Sequence, residues 1–294
     1  MYETILVPTD GSSPANRAID AAMSIATRTD ATVHGVYVLD LREVPASIAV
    51  DLEQLFSEEG RRALATVEDA GSEAGIQPVT ATVKASASIH EAILKYADEH
   101  DVELIVMGSH GRSGIDRFLL GSVTERTVRA SAIPVLTIKE TPLPADLESV
   151  LIPTDGSRGS MAAASHAIDL ATAFGAAVHV VHSIDLTVGG GELATGPVYS
   201  EFERIGRESV DEVIEQAEQA GVDRIESSIL TGSAGRAIVK YATDRDIDVV
   251  VIGTHGRSGL DRWLLGSVAE KVVRTAPMPV MTVNVRAREG PDAG

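Results

Sequence analysis

A chain of 294 residues carries a formal charge of −18, 44% hydrophobic and 3% aromatic residues, and no cysteine. The missing cysteines exclude disulfide scaffolds, thiolate metal sites and thiol nucleophiles. The acidity argues against a nucleic-acid partner, which needs a basic footprint, and no apolar run reaches the roughly 18 residues of a membrane span.

The length suits two domains, each with a core of Val, Ile, Leu and Ala because aromatics are scarce. The start "MYETILVPTDGS" lacks the basic residues and long apolar stretch of a leader, so a cytoplasmic location is expected. Only five residues are Lys. Acid-rich, Lys-poor composition is also what cytosolic proteins of salt-loving organisms carry, which makes this a halophilic candidate.

In chain order, "TILVPTD" reads as a strand ending in a turn and "PANRAIDAAMSIATRT" as an amphipathic helix. "TVHGVYVLD" is a second strand, and "LEQLFSEEGRRALATVEDAGSEAG" a long helix ending near Gly75. "VTATVKA", "VELIVMG" and "PVLTIK" are further strands, alternating with the helices "SIHEAILKYADEHD" and "SVTERTVRAS". This alternation predicts an α/β fold with an open parallel sheet and helices on both faces. The unbroken apolar runs "ELIVM" and "DVVVI" suit strands buried on both sides.

The pattern then repeats. "LVPTDGS" (6–12) returns as "LIPTDGS" (151–157), and "GSHGRSGIDRFLLGSV" (108–123) as "GTHGRSGLDRWLLGSV" (253–268). The offset is 145 from Asp10/Asp155 to Gly121/Gly266, so no net insertion separates these anchors. The expected organisation is two five-stranded domains, 1–140 and 149–285. A linker at 141–148, "TPLPADLE", joins them, and a frayed tail at 286–294 follows.

Ligands of open parallel sheets bind beyond the carboxyl ends of the strands, where strand order reverses. Those positions are Pro8, Thr9 and Asp10, then Val38, then Gly108 and Gly111 in the first half. The second half offers Pro153, Thr154 and Asp155, then Ser183, then Gly253 and Gly256. Asp10 suits an Asx turn as well as a ribose contact. Glycines after the fourth strand permit unusual dihedrals and close ligand approach. Ser122 with Glu125, and Ser267 with Glu270, read as capping boxes. A helix N-terminus there is also an anion site. Arg112 and Arg257 add local positive charge, while Arg117 and Arg262 read as solvated surface. Neither G-x-x-x-x-G-K-[ST] nor a G-x-G-x-x-G after the first strand is present, which argues against P-loop and dinucleotide folds.

G-x2-G-x9-G-[ST] after the fourth strand, with "PTDGS" after the first, resembles the nucleotide-binding type of the universal stress protein family, here in tandem. That resemblance implies ATP, ADP or AMP as ligand, with Mg2+ or Mn2+ brought by the phosphates rather than by a protein metal site. It places Asp10 at the ribose and Val38 at the adenine edge. Gly108, Gly111, Gly121, Ser122 and the Val123 backbone hold phosphates, with Thr124 in reach. The second half supplies Asp155, Gly253, Gly256, Gly266, Ser267 and Val268. Ser183 for Val38 and Ala269 for Thr124 are expected to weaken or alter that site. The family's G-x-P turn after the third strand is replaced by "ASI" (87–89) and "GSA" (232–234). The resemblance also implies that the two domains pair through their fifth strands as a pseudo-dimer, with a homodimer of chains open. A binding and regulatory role without efficient turnover leads. A slow ATPase or self-phosphorylating enzyme and a nucleotide-free interaction module stay open. His110 and His255 read as loop residues packing near the ligand rather than as catalysts.

Overall fold

The computed structural model describes residues 2–41, 49–85, 87–111, 120–185, 197–254 and 265–285. The first half runs β1 (Thr4–Pro8), α1 (Ser13–Thr29), β2 (Thr32–Leu39), α2 (Ala49–Ala74), β3 (Val79–Lys84), α3 (Ile89–Glu99), β4 (Leu104–Gly108), α4 (Ser122–Ala130) and β5 (Val135–Ile138). The second half repeats it as β6 (Ser149–Pro153), α5 (Arg158–Phe174), β7 (Ala177–Ile184), α6 (Pro197–Gln219), β8 (Ile225–Thr231), α7 (Ala234–Asp244), β9 (Val249–Gly253), α8 (Ser267–Thr275) and β10 (Val280–Val283).

The strands form one sheet in the order β3-β2-β1-β4-β5-β10-β9-β6-β7-β8. Every described pairing within a half is parallel; between halves, β5 and β10 run antiparallel with Leu136 opposite Met281. Helices cover both faces. Ala18, Ile19, Ala22, Ile25 and Ala26 of α1 form one apolar stripe at helical spacing and are buried with Val67 of α2. Ala163, Ala167 and Val210, from α5 and α6, belong to the same core layer. The opposite layer holds Ile93 and Tyr96 of α3, Val128 of α4, and Ile238 and Val272 of α7 and α8. Each layer runs across both halves, so the β5–β10 seam lies inside the core rather than at a surface. The central strands β1, β4, β6 and β9 are almost wholly buried, which explains their unbroken apolar runs.

Strand order reverses twice, between β1 and β4 and between β6 and β9. The Asp10 and Asp155 turns and the loops after β4 and β9 therefore meet pairwise.

The 145-residue offset holds at the anchors but fails between them. His34 pairs with Val79, whereas its counterpart His179 pairs with Glu226, two residues beyond the constant offset. The gain is cancelled before the next helix: four residues link β3 to α3, and two link β8 to α7. Ala85 donates to the Leu39 carbonyl and Gly232 to the Ile184 carbonyl, each at 2.9 Å. Ala85 is thus the structural partner of Gly232, and the triplets "ASI" and "GSA" are not equivalent. Gly232, at φ 109°, makes the tighter turn possible.

Candidate functional site

The first site is assembled at the β1/β4 reversal. Thr9 N–H is held by the Val36 carbonyl at 2.8 Å, and its Oγ1 accepts from Gly11 N–H at 3.2 Å. Gly11 takes φ 74°, turning the chain into α1. Asp10 Oδ1 accepts the Ser12 N–H at 3.0 Å, so the Asx turn is formed. Ser12 in turn caps α1 through Ala15 N–H. The other carboxylate oxygen, Oδ2, lies beside Gly111, 2.5 Å from where a Cβ would stand. Glycine at 111 leaves this carboxylate in place, where a larger residue would make the Asp10 side chain shift.

Gly108 answers to a different demand. A Cβ there would stand 2.8 Å from the Pro14 carbonyl carbon and 2.9 Å from the Ala15 nitrogen. Gly253 meets the Gly159 and Ser160 backbone equally closely. These glycines admit the first turn of α1 and α5 against the strand ends. Neither they nor Gly111 take a positive φ, so the left-handed conformations that glycine permits after these strands are not used at Gly108, Gly111 or Gly253.

The capping-box reading is also corrected. Gly121 and Gly266 are the N-caps, and Ser122 and Ser267 are the first helical residues, with exposed side chains. Glu125 and Glu270 reach forward to Arg129 and Arg274 instead of back to a cap. Gly121 N–H donates to the Ser109 carbonyl at 2.7 Å and Gly266 N–H to the Thr254 carbonyl at 2.8 Å. These bonds pin each helix start to its loop. The N–H groups of Ser122, Val123 and Thr124 then have no intrahelical acceptor.

Pro8, Thr9, Asp10, Val38, Gly108, Gly111, Gly121, Ser122, Val123 and Thr124 line one cavity of about 720 Å³. Pro153, Thr154, Asp155, Ser183, Gly253, Gly266, Ser267 and Val268 line a second, of about 360 Å³. Arg112, Gly256, Arg257, His255, Arg117 and Arg262 lie outside the described residues. Thr124 plays another part than expected: its buried Oγ1 donates to the Gly108 carbonyl at 2.8 Å, tying α4 to the end of β4. Ala269 cannot make this tie. Ser183 Oγ donates to the Gly232 carbonyl at 3.1 Å, so its polarity is matched by backbone.

Sequence reasoning missed the apolar wall. Ile89 and Ile93 of α3, with Val36 and Met107, line the first cavity; Ala234, Ile238, Val181 and Ile252 take their places in the second. The signal was present as the i, i+4 pair at the start of the third helix. Tyr37 and His182 also line the cavities, and His182 Nδ1 donates to the Thr154 carbonyl at 2.9 Å. His110 lines the first cavity, its Nδ1 3.0 Å from Ser109 Oγ. Each cavity is thus lined by a carboxylate, a helix start with N–H donors and apolar side chains. That arrangement suits a flat ring bearing a hydroxylated and an anionic part.

The sequence profile of the universal stress protein family matches residues 1–139 and again 147–284. The chain belongs to the universal stress protein family. A universal stress protein of Methanocaldococcus jannaschii is 39% identical over 145 residues, covering 48% of this chain and 85% of that protein. Among solved structures, a universal stress protein from Archaeoglobus fulgidus has a TM-score of 0.74 at 22% identity, covering 96% of this chain and 98% of its own; that likeness is one of fold. A universal stress protein solved in complex with cAMP covers 47% of this chain and 97% of its own, at 28% identity and a TM-score of 0.38. In this tandem universal stress protein no described helix is long and apolar enough to cross a membrane, and the described residues hold no cluster of three metal-ligating side chains.

Proposed function

We propose that this chain is an adenine-nucleotide-binding stress protein with two sites, taking ATP (or ADP or AMP) with Mg2+ or Mn2+ carried on the phosphates. The observation that carries the reading is the convergence of three elements on one cavity. They are the Asp10 turn, the Gly108–Gly111 loop closed over its carboxylate, and the uncapped N–H groups at the start of α4. The carboxylate accepts hydroxyls of a ribose. The N–H groups and helix dipole attract phosphate. Val36, Val38, Ile89 and Ile93 pack a purine. The second site repeats this plan with a smaller cavity, and weaker or altered binding is expected there. Binding rather than turnover is the proposed role, regulatory in a stress response, in the cytoplasm. In this reading the halves act as a pseudo-dimer within one chain.

The test is to denature protein purified without added nucleotide and identify released ligands by mass spectrometry, alongside thermal shifts with MgATP, ADP, AMP and cAMP. Ligand at 100 times its dissociation constant stabilises by about 2.7 kcal/mol. Release of no nucleotide, together with no shift for any of the four, would refute the proposal.

A further inference from the structure

The last helix of each half has one end at its own site and the other end held by the opposite half. α4 begins at Ser122 beside the first cavity and ends on Ser131. The Ser131 carbonyl accepts the Asn284 side-chain N–H at 3.1 Å, and Asn284 follows β10. α8 begins at Ser267 beside the second cavity and ends on Ala276. The Ala276 carbonyl accepts from Lys139 Nζ at 2.9 Å, and Lys139 follows β5. Lys139 and Asn284 are counterparts in the repeat, as are Ser131 and Ala276.

Each gripping residue is also one step from a site loop. Ser109 N–H donates to the Ile138 carbonyl at 2.7 Å, next to Lys139; Thr254 N–H donates to the Val283 carbonyl at 2.9 Å, next to Asn284. Arg17 Nε of α1 holds the Lys139 carbonyl at 2.6 Å. Between the two helices, Arg129 of α4 reaches Glu270 of α8 at 3.6 Å. Across the strands, Thr137 Oγ1 bonds the Val280 carbonyl at 3.0 Å and Thr282 Oγ1 the Val135 carbonyl at 3.2 Å. Two crossed routes result. One runs from the Ser109 loop through Ile138 and Lys139 to the C-terminal end of α8, and along α8 to Ser267. The other runs from Thr254 through Val283 and Asn284 to the end of α4, and along α4 to Ser122.

We propose that these crossed contacts couple the two sites, so that filling one raises the affinity of the other. This rests on the nucleotide reading above. A phosphate drawn onto the start of α4 fixes that helix. A helix of nine residues is about 13.5 Å long at 1.5 Å per residue. Over that length it acts as a rod, so fixing its start also fixes the Ser131 carbonyl that holds Asn284, next to the Val283 carbonyl that holds Thr254 N–H. The first ligand therefore bears part of the ordering cost of the second site, which gives positive cooperativity. Lys139 and Asn284 touch neither cavity; they are positioning residues.

The experiment is calorimetric titration of the full chain with MgATP. Gly121→Val and Gly266→Val chains, each with one site blocked, give the intrinsic affinities. At Gly121 an added Cβ stands 3.0 Å from the His110 Cα. In the parent, the product of the two affinities should exceed the product of the intrinsic ones at least about five-fold, the lower end of ordinary coupling. In Lys139→Met/Asn284→Leu this factor should fall toward unity while the intrinsic affinities hold. A purely structural role would lower the melting temperature and leave the factor unchanged. If the double variant does not fold, Asn284→Leu alone, at a partly exposed position, should still cut the factor measurably. Coupling is overturned if the parent's sites are independent or if the factor survives loss of the contacts. Absence of binding at both sites overturns the nucleotide reading and the coupling with it.

Discussion

Replacing Thr124 by Val tests how the start of α4 is held. The hydroxyl donates to the Gly108 carbonyl at 2.8 Å, and Thr124 is 3% exposed with Gly108 also buried. Valine keeps the branched shape, so no cavity opens, and the carbonyl loses a donor. Leaving a buried acceptor without a partner costs about 1–3 kcal/mol. At about 2–4 °C per kcal/mol for a cooperative unit of 150–250 residues, the melting temperature should drop by several degrees. The second half supplies the reciprocal change. Ala269→Thr offers the Gly253 carbonyl the donor that this half lacks and should stabilise by about 1 kcal/mol. Differential scanning calorimetry of both variants, with and without MgATP, reads both signs. A Thr124→Val chain within about 0.3 kcal/mol of the parent would refute the claim that this bond holds the helix, since that loss lies below any buried hydrogen bond.

Ser122→Ala should leave stability within about 0.5 kcal/mol, because the exposed side chain is not the cap. It should weaken MgATP binding about ten-fold by removing a charge-assisted hydrogen bond; an unchanged titration would remove Ser122 from the site. Burial lowers the Lys139 amine to about 8 from an ordinary 10.5. The unfolded chain then binds the extra proton between those values, so stability rises with pH across that window. Lys139→Met should abolish the rise, read by urea melts up to pH 9.5; an unaltered slope would refute it. Burial also lowers the His34, His166 and His179 imidazoles below 6.5. Stability is therefore lost as pH falls through that range, and His166→Gln should flatten the loss. With a charge of −18, raising KCl from about 0.1 M to molar levels should raise the melting temperature by screening self-repulsion. Full stability in dilute buffer would dismiss the halophilic reading.

Much of the candidate site was legible because it follows from backbone direction. Residues after β1 and β4 must lie at the sheet's carboxyl edge, so Asp10 and Gly108 could be placed from the strand pattern alone. The roles of side chains were less legible. Gly108 and Gly111 looked like concessions to a ligand, yet each already admits a neighbouring part of the chain, the α1 backbone or the Asp10 carboxylate. Ser122 looked like a cap because S-x-x-E is a local signature. The cap fell to Gly121, whose N–H is tied back to the Ser109 carbonyl, so the helix starts one residue earlier, at Ser122.

The sequence by itself determined the duplication, the alternation of strands and helices, and which loops reach the carboxyl edge. These depend on local periodicity and on identity between the halves. Only the tertiary structure decided the register of β8, two residues beyond its counterpart, because a gain before the strand and a loss after it cancel in the offset. Only it revealed that Lys139 and Asn284 grip each other's domains. Those contacts join residues 137 and 153 positions apart, brought together by the antiparallel meeting of β5 and β10. No local pattern encodes such a crossing; it follows from how two buried edges pair.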